Sequence, residues 1–121
     1  MEDAQKIADR YAAVWNEPDA ARRRAQIAAL WSEDGDHYVG TRGAVGYAEL
    51  EERIRLSHDK NVAGAGNRFR AARDAQRLRN AVVFHWHMLP ADGGTVLATG
   101  LEVLILGPDG RIRTDYQFIV P

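Results

Sequence analysis

The chain has 121 residues, of which 45% are hydrophobic and 27% are charged, a balance typical of one ordinary globular domain. Its formal net charge is −1, so electrostatics give no reason to expect a nucleic acid or an anionic membrane as a partner. No cysteine is present, which excludes disulfides, thiolate metal ligands and cysteine nucleophiles. The charged N-terminus lacks the apolar stretch of a signal peptide, and no apolar run approaches the ~20 residues that span a bilayer. We therefore expect a cytoplasmic protein.

The first half of the chain carries helical periodicity. Apolar residues recur at helical spacing over residues 3–15 and 20–31, with Asp19 placed to cap the second helix and residues 32–35 closing it. A short extended piece at 36–39 leads into a glycine-punctuated hairpin or loop at 40–46. A third helix is predicted over residues 47–60, followed by a flexible glycine-rich link at 64–66.

From Phe69 onward the apolar period changes to two, which predicts strands. Residues 81–88, 95–106 and 111–120 have the pattern of long strands, separated by turns at 90–94 and 107–110. Successive hairpins make this part of the sheet antiparallel. In the last strand, apolar and aromatic residues occupy mostly even positions, and Asp115 stands among the polar residues that alternate with them.

Five short segments, spread over nearly the whole chain, are similar to the element markers of one superfamily. Residues 13–16 and 27–35 resemble the ends of its first and second helices, and residues 43–50 resemble the entry to its third helix. Residues 67–70 and 109–112 resemble its later strand markers. The chain thus resembles the nuclear-transport-factor-2-like superfamily, and in particular its SnoaL-like, polyketide-cyclase-like branch.

The resemblance implies the fold class and the assembly. It implies a single SnoaL-like α+β domain over residues 1–121, with three N-terminal helices packed on a strongly curved antiparallel or mixed sheet. Such a sheet forms a cone around an internal pocket, a cystatin-like roll. Many members pair into homodimers through the outer sheet face. The fold hosts isomerases, dehydratases, cyclases, hydrolases and binding modules, so it does not name a reaction.

An acidic residue stands inside the apolar segment 98–106, and it is the strongest candidate for chemistry. Glu102 shares its strand face with three small or apolar residues, Ala98, Gly100 and Leu104. Burial would raise the pKa of Glu102, which suits an acid or a base that works near neutral pH. The resembling family commonly holds an acidic pocket residue, usually Asp, at this position. A salt bridge from Glu102 to Arg79 or Arg113 is the alternative.

Tyr11 and His37 are the candidate partners of Glu102. Tyr11 and Glu102 together resemble the oxyanion pair of the ketosteroid-isomerase branch. That branch carries its base as an Asp before a Pro in the small hairpin, whereas residues 38–40 here are Tyr-Val-Gly. Steroid-type isomerisation is therefore not expected. His37 could serve as the base, or it could be an exposed loop histidine.

Other side chains are expected to line the pocket, either as aromatic residues on apolar faces or as a glycine that leaves space. These are Trp15, Trp31, Tyr38, Trp86, Gly100, Tyr116 and Phe118. His85 and His87 share one strand face, a spacing that could hold a metal, but no third ligand is fixed by the sequence. Apolar side chains occupy the opposite face, so both histidines are expected to point toward solvent or a dimer partner.

Together these features predict a protein that binds a compact hydrophobic small molecule, with no cofactor and no metal. If it is an enzyme, we expect acid–base proton transfer of the cyclase, isomerase or dehydratase kind, with Glu102 as acid or base. Two alternatives stay open. One is a non-catalytic homodimeric binding or interaction module with a vestigial pocket, and the other is a metal-dependent hydrolase that uses His85 and His87.

Overall fold

The computed structural model describes residues 3–121, in which helices come first and most strands follow. Its helices are α1 (Ala4–Asn16), α2 (Ala20–Leu30) and α3 (Gly46–Ser57), and α3 continues into a π-helical segment, His58–Gly64. Its strands are β1 (Trp31–Val39), β2 (Arg42–Val45), β3 (Asn67–Ala71), β4 (Gln76–Leu78), β5 (Ala81–Pro90), β6 (Ala98–Leu106) and β7 (Ile112–Val120). Within this part of the chain, no helix is long and apolar enough to cross a bilayer.

The first two helices begin at aspartates whose side chains cap the free backbone N–H groups. Asp3 accepts a hydrogen bond from the Gln5 backbone N–H at 3.1 Å, and Asp19 accepts one from the Arg22 backbone N–H at 2.8 Å. Between them, Pro18 disfavours helical geometry at Glu17, which adopts an extended conformation and ends α1. The sequence therefore fixes the sharp turn that sets α2 against α1.

The seven strands of the described chain form one mixed sheet in the order β2-β1-β7-β6-β5-β3, and β4 also pairs with β5. The β1–β7 pair is parallel, and all the others are antiparallel. Register shifts in the β1–β7 and β6–β7 pairs mark bulges, which bend strands. The helices pack on this sheet, with α1 against β3 and α3 against β1. The α+β fold predicted from the sequence is confirmed.

Two predicted boundaries are wrong for identifiable reasons. The segment expected to close α2 lies in β1, which begins immediately at Trp31. There the Ser32 hydroxyl donates to the Ile112 carbonyl at 3.1 Å, and a Cβ on Gly35 would meet that carbonyl oxygen at 2.8 Å. Close pairing with β7 therefore overrides the turn signals. The predicted link at 64–66 is also partly helical, because the helical winding continues to Gly64.

Aromatic side chains from α1 and the sheet form the centre of the core. The Tyr11 ring lies 5.6 Å from the Trp31 ring and 5.5 Å from the Phe84 ring, measured between centroids. Such tilted and edge-on contacts suit the charge distribution of aromatic rings. Trp31 and Phe84 are almost fully buried. The core thus holds α1 over β1 and β5 and places the Tyr11 hydroxyl deep in the domain.

Gly100 gives the Trp86 indole its position. The two residues are directly opposite in the β5–β6 pair. A Cβ on Gly100 would lie 2.0 Å from Cε2 and 2.4 Å from Nε1 of the indole, so the ring occupies the space that any side chain would need. From this position, Trp86 Nε1 donates to Glu102 Oε1 at 2.8 Å. The absence of a side chain at Gly100 on β6 therefore lets the Trp86 indole of β5 donate to Glu102, two residues further along β6.

Replacing Gly100 with Ala should destabilise the fold by about 1–3 kcal/mol, the usual cost of overpacking a core. The added methyl group would push the indole away and break its hydrogen bond to Glu102. Urea unfolding followed by tryptophan fluorescence measures this change. Gly107→Ala is the matched control, because the nearest atom to its Cβ would be Asp109 Oδ1, at an ordinary contact distance of 3.5 Å. Equal free energies of unfolding for the two variants would contradict the assignment.

Candidate active site

Four polar residues from four different elements meet inside the domain. Tyr11 lies on the buried face of α1, His37 on β1, Glu102 on β6 and Asp115 on β7. The parallel pairing of β1 with β7 sets His37 directly opposite Asp115, and Glu102 is opposite Gln117 in the β6–β7 pair. None of the four is more than 2% exposed. We call these four residues the acid cluster.

The Tyr11 hydroxyl lies between the two carboxyl groups of the acid cluster. It is 2.7 Å from Asp115 Oδ2 and 3.1 Å from Glu102 Oε2. His37 Nδ1 also lies 2.7 Å from Asp115 Oδ2, and Glu102 Oε1 accepts from Trp86. Glu102 therefore bonds Tyr11 and Trp86 rather than Arg79 or Arg113, which rejects the predicted alternative. His37 is not an exposed loop residue, because its strand pairs with β7.

The two carboxyl groups differ in proton affinity. Burial raises the pKa of Glu102 well above its ordinary value of 4.5, and the nearby Asp115 raises it further. Burial alone would also raise the pKa of Asp115, but attraction to His37 and hydrogen bonds from Glu102, His37 and Tyr11 hold it below 3.8. Burial, followed by the charges of both carboxyl groups, raises the pKa of Tyr11 well above 10.0. Glu102 and Tyr11 therefore keep their protons to a higher pH than usual, whereas Asp115 keeps its charge to a lower pH than usual.

Such a pair holds one proton between two acids whose environments differ, an arrangement that separates an acid role from a base role. Asp115 Oδ2 accepts a hydrogen bond from His37 Nδ1 when that nitrogen carries a proton, and Nε2 is the ring nitrogen that remains. In the described chain, His37 Nε2 is buried and has no hydrogen-bond partner. The acid cluster can therefore both release and accept a proton.

His37, Glu102 and Asp115 also offer ligand atoms within 4.8 Å of one another, as a metal site would. However, the Tyr11 hydroxyl lies between the carboxyl groups, and His37 Nδ1 is at hydrogen-bond distance from the Asp115 oxygen. Asp115 Oδ1 and His37 Nε2, by contrast, are buried without a hydrogen-bond partner. The atoms that are hydrogen-bonded are arranged to share protons.

A cavity of about 270 Å³ opens beside the acid cluster. Tyr11 and Trp86 line it and also bond Glu102, so these two side chains connect the cavity with the cluster. Much of the remaining wall is apolar, from Ala12, Trp15, Val39, Leu56, Phe69, Met88, Ala98 and Ile119. Ligand sites are typically apolar concave spaces with a few convergent polar groups. The volume suits a compact molecule.

The structure separates the predicted catalytic and pocket residues into four groups, three inside the domain and one on the outer face of the sheet. Tyr11, Trp15 and Trp86 line the cavity. Glu102 and His37 are not among the lining residues, and they lie within the acid cluster. Trp31 and Gly100 do not line it either, since Trp31 is part of the core beside Tyr11 and the Trp86 indole covers Gly100.

Tyr38, Tyr116 and Phe118 lie on the outer face of the sheet, and their predicted place in the pocket is wrong. They are 37%, 45% and 56% exposed, and the Tyr38 and Tyr116 rings stack at 6.0 Å. Paired residues in a sheet point to the same side, so inward-facing Glu102 turns its partner Gln117 inward. The neighbouring aromatic positions on β7 must then point outward.

Asp115 also lies on the inner face, although its neighbours in the sequence are polar. Next to the turn, inward-facing Leu106 pairs with Ile112, an even position of β7. The register shift that follows changes the alternation, so Leu104 pairs with Asp115 and the inward positions of β7 become odd. His85 and His87 point outward as predicted: the first bonds Asp74 at 2.6 Å and the second bonds Thr99 at 3.2 Å.

Comparison with known proteins finds similarity among solved structures. No protein-family model matches the sequence, and no curated protein does either. Solved structures do match. A candidate isomerase of the SnoaL-like family from Agrobacterium tumefaciens is similar at 28% sequence identity and a TM-score of 0.88, over 98% of this chain and 97% of that one.

More distant structures share the same fold. A SnoaL-like protein of unknown function from Burkholderia thailandensis has 16% identity and a TM-score of 0.70, over 98% of this chain and 94% of that one. A candidate polyketide cyclase from Sinorhizobium meliloti has 9% identity and a TM-score of 0.68, over 96% of this chain and 99% of that one. The elements and the sheet order described above are therefore similar to those of SnoaL-like and nuclear-transport-factor-2-like structures.

Proposed function

We propose that the protein is a cofactor-independent proton-transfer enzyme of SnoaL-like type, acting on a compact, mainly hydrophobic molecule in the cavity. The observation that carries this proposal is the acid cluster, in which Glu102 and Asp115, with pKa values shifted in opposite directions, share one buried network beside the cavity. The similarity to a candidate isomerase supports the same class of chemistry. Isomerisation, cyclisation and dehydration all need one group that removes a proton and another that supplies one.

In this proposal His37 is the base. Its Nε2 removes a proton from a carbon next to a carbonyl group of the substrate, and Asp115 holds the ring and stabilises the imidazolium that forms. The His37 ring packs 5.5 Å from the Trp15 ring, which lines the cavity. His37 itself does not line the cavity, so in this proposal a ligand reaches the unpartnered Nε2 past the Trp15 side chain.

Tyr11 and Glu102 form the acid side. The Tyr11 ring lines the cavity, and its hydroxyl bonds both carboxyl groups. A protonated Glu102 with Tyr11 can stabilise an enolate oxygen or return a proton to the substrate. In an isomerisation, His37 Nε2 then returns the proton that it removed to a different carbon of the substrate, while Tyr11 and Glu102 keep their own protons. No net proton is gained or lost.

We also propose that a second copy of the chain covers the outer sheet face. The support is the group of exposed apolar side chains there, which includes the stacked Tyr38 and Tyr116 and the 56%-exposed Phe118. Exposed apolar patches of this kind are typical of protein–protein contact surfaces. The cytoplasmic location stays a prediction. A non-catalytic dimer, the alternative function, would use this face but would not need the opposed pKa shifts of the acid cluster.

We expect the free energy of unfolding to decrease as pH rises above about 4.5, the ordinary pKa of glutamate. The raised pKa of Glu102 means that the folded state binds its proton more tightly than the unfolded state, so this stability is lost as pH rises through the folded pKa. Glu102→Gln has no such proton and should remove a slope of up to about 1.4 kcal/mol per pH unit. Urea unfolding between about pH 5 and pH 8 measures it.

Glu33→Gln is the control for this series, because Glu33 is exposed, whereas Glu102 is fully buried. It should keep the wild-type slope. Asp115, whose pKa is lowered, contributes with the opposite sign, but only near and below its ordinary 3.8, outside the measured range. A Glu102→Gln variant whose stability follows pH as steeply as the wild type would show that Glu102 is already ionised.

Proton transfer itself can be tested without knowing the substrate. We expect the protein to accelerate the exchange of α-protons for deuterium in compact aromatic ketones, followed by NMR in D₂O. His37→Gln should lower this rate by about 10²–10⁴-fold, the usual contribution of a general base. His87→Gln, a histidine on the outer face, should change it by less than about twofold. Exchange no faster than in buffer across a ketone series, or equal rates for both variants, would refute the proposal.

The proposed dimer predicts a mass of two chains in light scattering coupled to gel filtration. Phe118→Lys should give a single-chain mass, because a lysine at the centre of an apolar contact would be desolvated without a partner. Val96→Lys changes a 42%-exposed residue in the loop between β5 and β6 and should leave the dimer intact. A single-chain mass for the wild type would exclude this assembly.

A further inference from the structure

The charged side chains that line the cavity are all cationic. Three cationic side chains, Arg42, Arg53 and Lys60, are among the lining residues. No Asp or Glu lines the cavity within residues 3–121, although the chain as a whole has 17 acidic and 16 basic residues. The other polar lining groups are neutral: Tyr11, Trp15, Ser57, Asn61, Trp86 and Gln117. The cavity therefore offers cations and hydrogen-bond donors with no carboxylate on its wall to neutralise them.

Arg53 is the cation closest to the aromatic wall. Its guanidinium carbon lies 5.2 Å from the centre of the Trp15 ring, within cation–π range. Its Nε is buried and has no hydrogen-bond partner, and it makes no salt bridge with any described residue. Arg55, two residues later on α3, pairs instead with Glu52 at 2.7 Å and Asp59 at 2.9 Å. The same helix thus pairs its outward arginine and leaves its inward arginine unpaired.

A half-buried guanidinium without a partner is costly unless a ligand completes its bonds. Burial first, and then repulsion from Arg42, lowers the pKa of Arg53, while the charges of Tyr11, Glu102 and Asp115 raise it. These three acidic groups act on Arg53 by electrostatic attraction from within the acid cluster. An anion in the cavity would compensate both the burial and the neighbouring positive charge.

We infer that the cavity binds a compact carboxylate, whose anionic group bonds Arg53, with Arg42 and Lys60 nearby, and whose apolar body packs against Trp15, Phe69 and Trp86. The planar fork of an arginine matches the two oxygens of a carboxylate, and stacking on Trp15 fixes the plane of that fork. This inference rests on the proposed function, since it takes the cavity as the substrate site. It adds the substrate class, namely an enolisable acid such as an aryl keto acid.

Binding can be tested with a matched pair of probes, phenylacetate and its uncharged amide, phenylacetamide. Isothermal titration calorimetry with the wild-type protein should show the carboxylate binding at least ~10-fold more tightly than the amide, since charge-assisted hydrogen bonds are the stronger kind. Added salt should weaken the carboxylate alone. Arg53→Gln should bring the two affinities to within about twofold, whereas Arg55→Gln, the solvent-facing arginine on the same helix, should keep the difference.

Several results would overturn the inference. These are equal affinities for the two probes in the wild type, no binding of any carboxylate in a series graded by size, or an unchanged preference in Arg53→Gln. Arg53→Lys guards against a folding defect, because it keeps the charge and should retain part of the preference. The readout is independent of catalysis. Carboxylate binding without proton exchange would refute the proposed function alone, and exchange without carboxylate preference would refute this inference alone.

Discussion

The structure depends on the burial of two carboxyl groups in one place. A buried carboxylate pair is tolerated only if it keeps a proton and finds donors for its oxygens. The donors come from separate parts of the chain: His37 from β1, Tyr11 from α1 and Trp86 from β5. These hydrogen bonds form only if α1, β1 and β5 are each correctly positioned relative to the two carboxyl groups. A fold that needed only stability would fill this space with apolar side chains, so the cluster is more readily understood as a functional feature.

The sequence predicts the parts of this arrangement that depend on local pattern. Helical periodicity puts Tyr11 and Trp15 on the inner face of α1, and an acid within an apolar strand marks Glu102. Periodicity fails on β7, where both faces carry apolar residues. The side that looks like the core, with Tyr116 and Phe118, is an exposed outer face, and the side that looks solvated holds Asp115. Alternation identifies two faces but cannot say which one is covered.

The features that the sequence does not predict depend on contacts between distant parts of the chain. His37 and Asp115 are 78 residues apart and meet only because β1 pairs with β7 in parallel, a pairing that no local turn announces. Arg53 lies among many charges on α3, and the sequence does not distinguish it from Arg55, which faces solvent. Only the packing of α3 against β1 turns one of them toward the cavity. The arginine proposed to bind the carboxylate is thus identified by tertiary contacts and not by a sequence motif.

The position of β7 in the sheet has a consequence for biosynthesis. It is the last of the described strands along the chain, yet it lies between β1 and β6. A nascent chain without it holds two unconnected half-sheets, each with an open edge that invites pairing with other chains. Entry of β7 joins the halves and delivers Asp115 in the same event. Completion of the sheet and assembly of the hydrogen-bonded acid cluster therefore occur in the same pairing step.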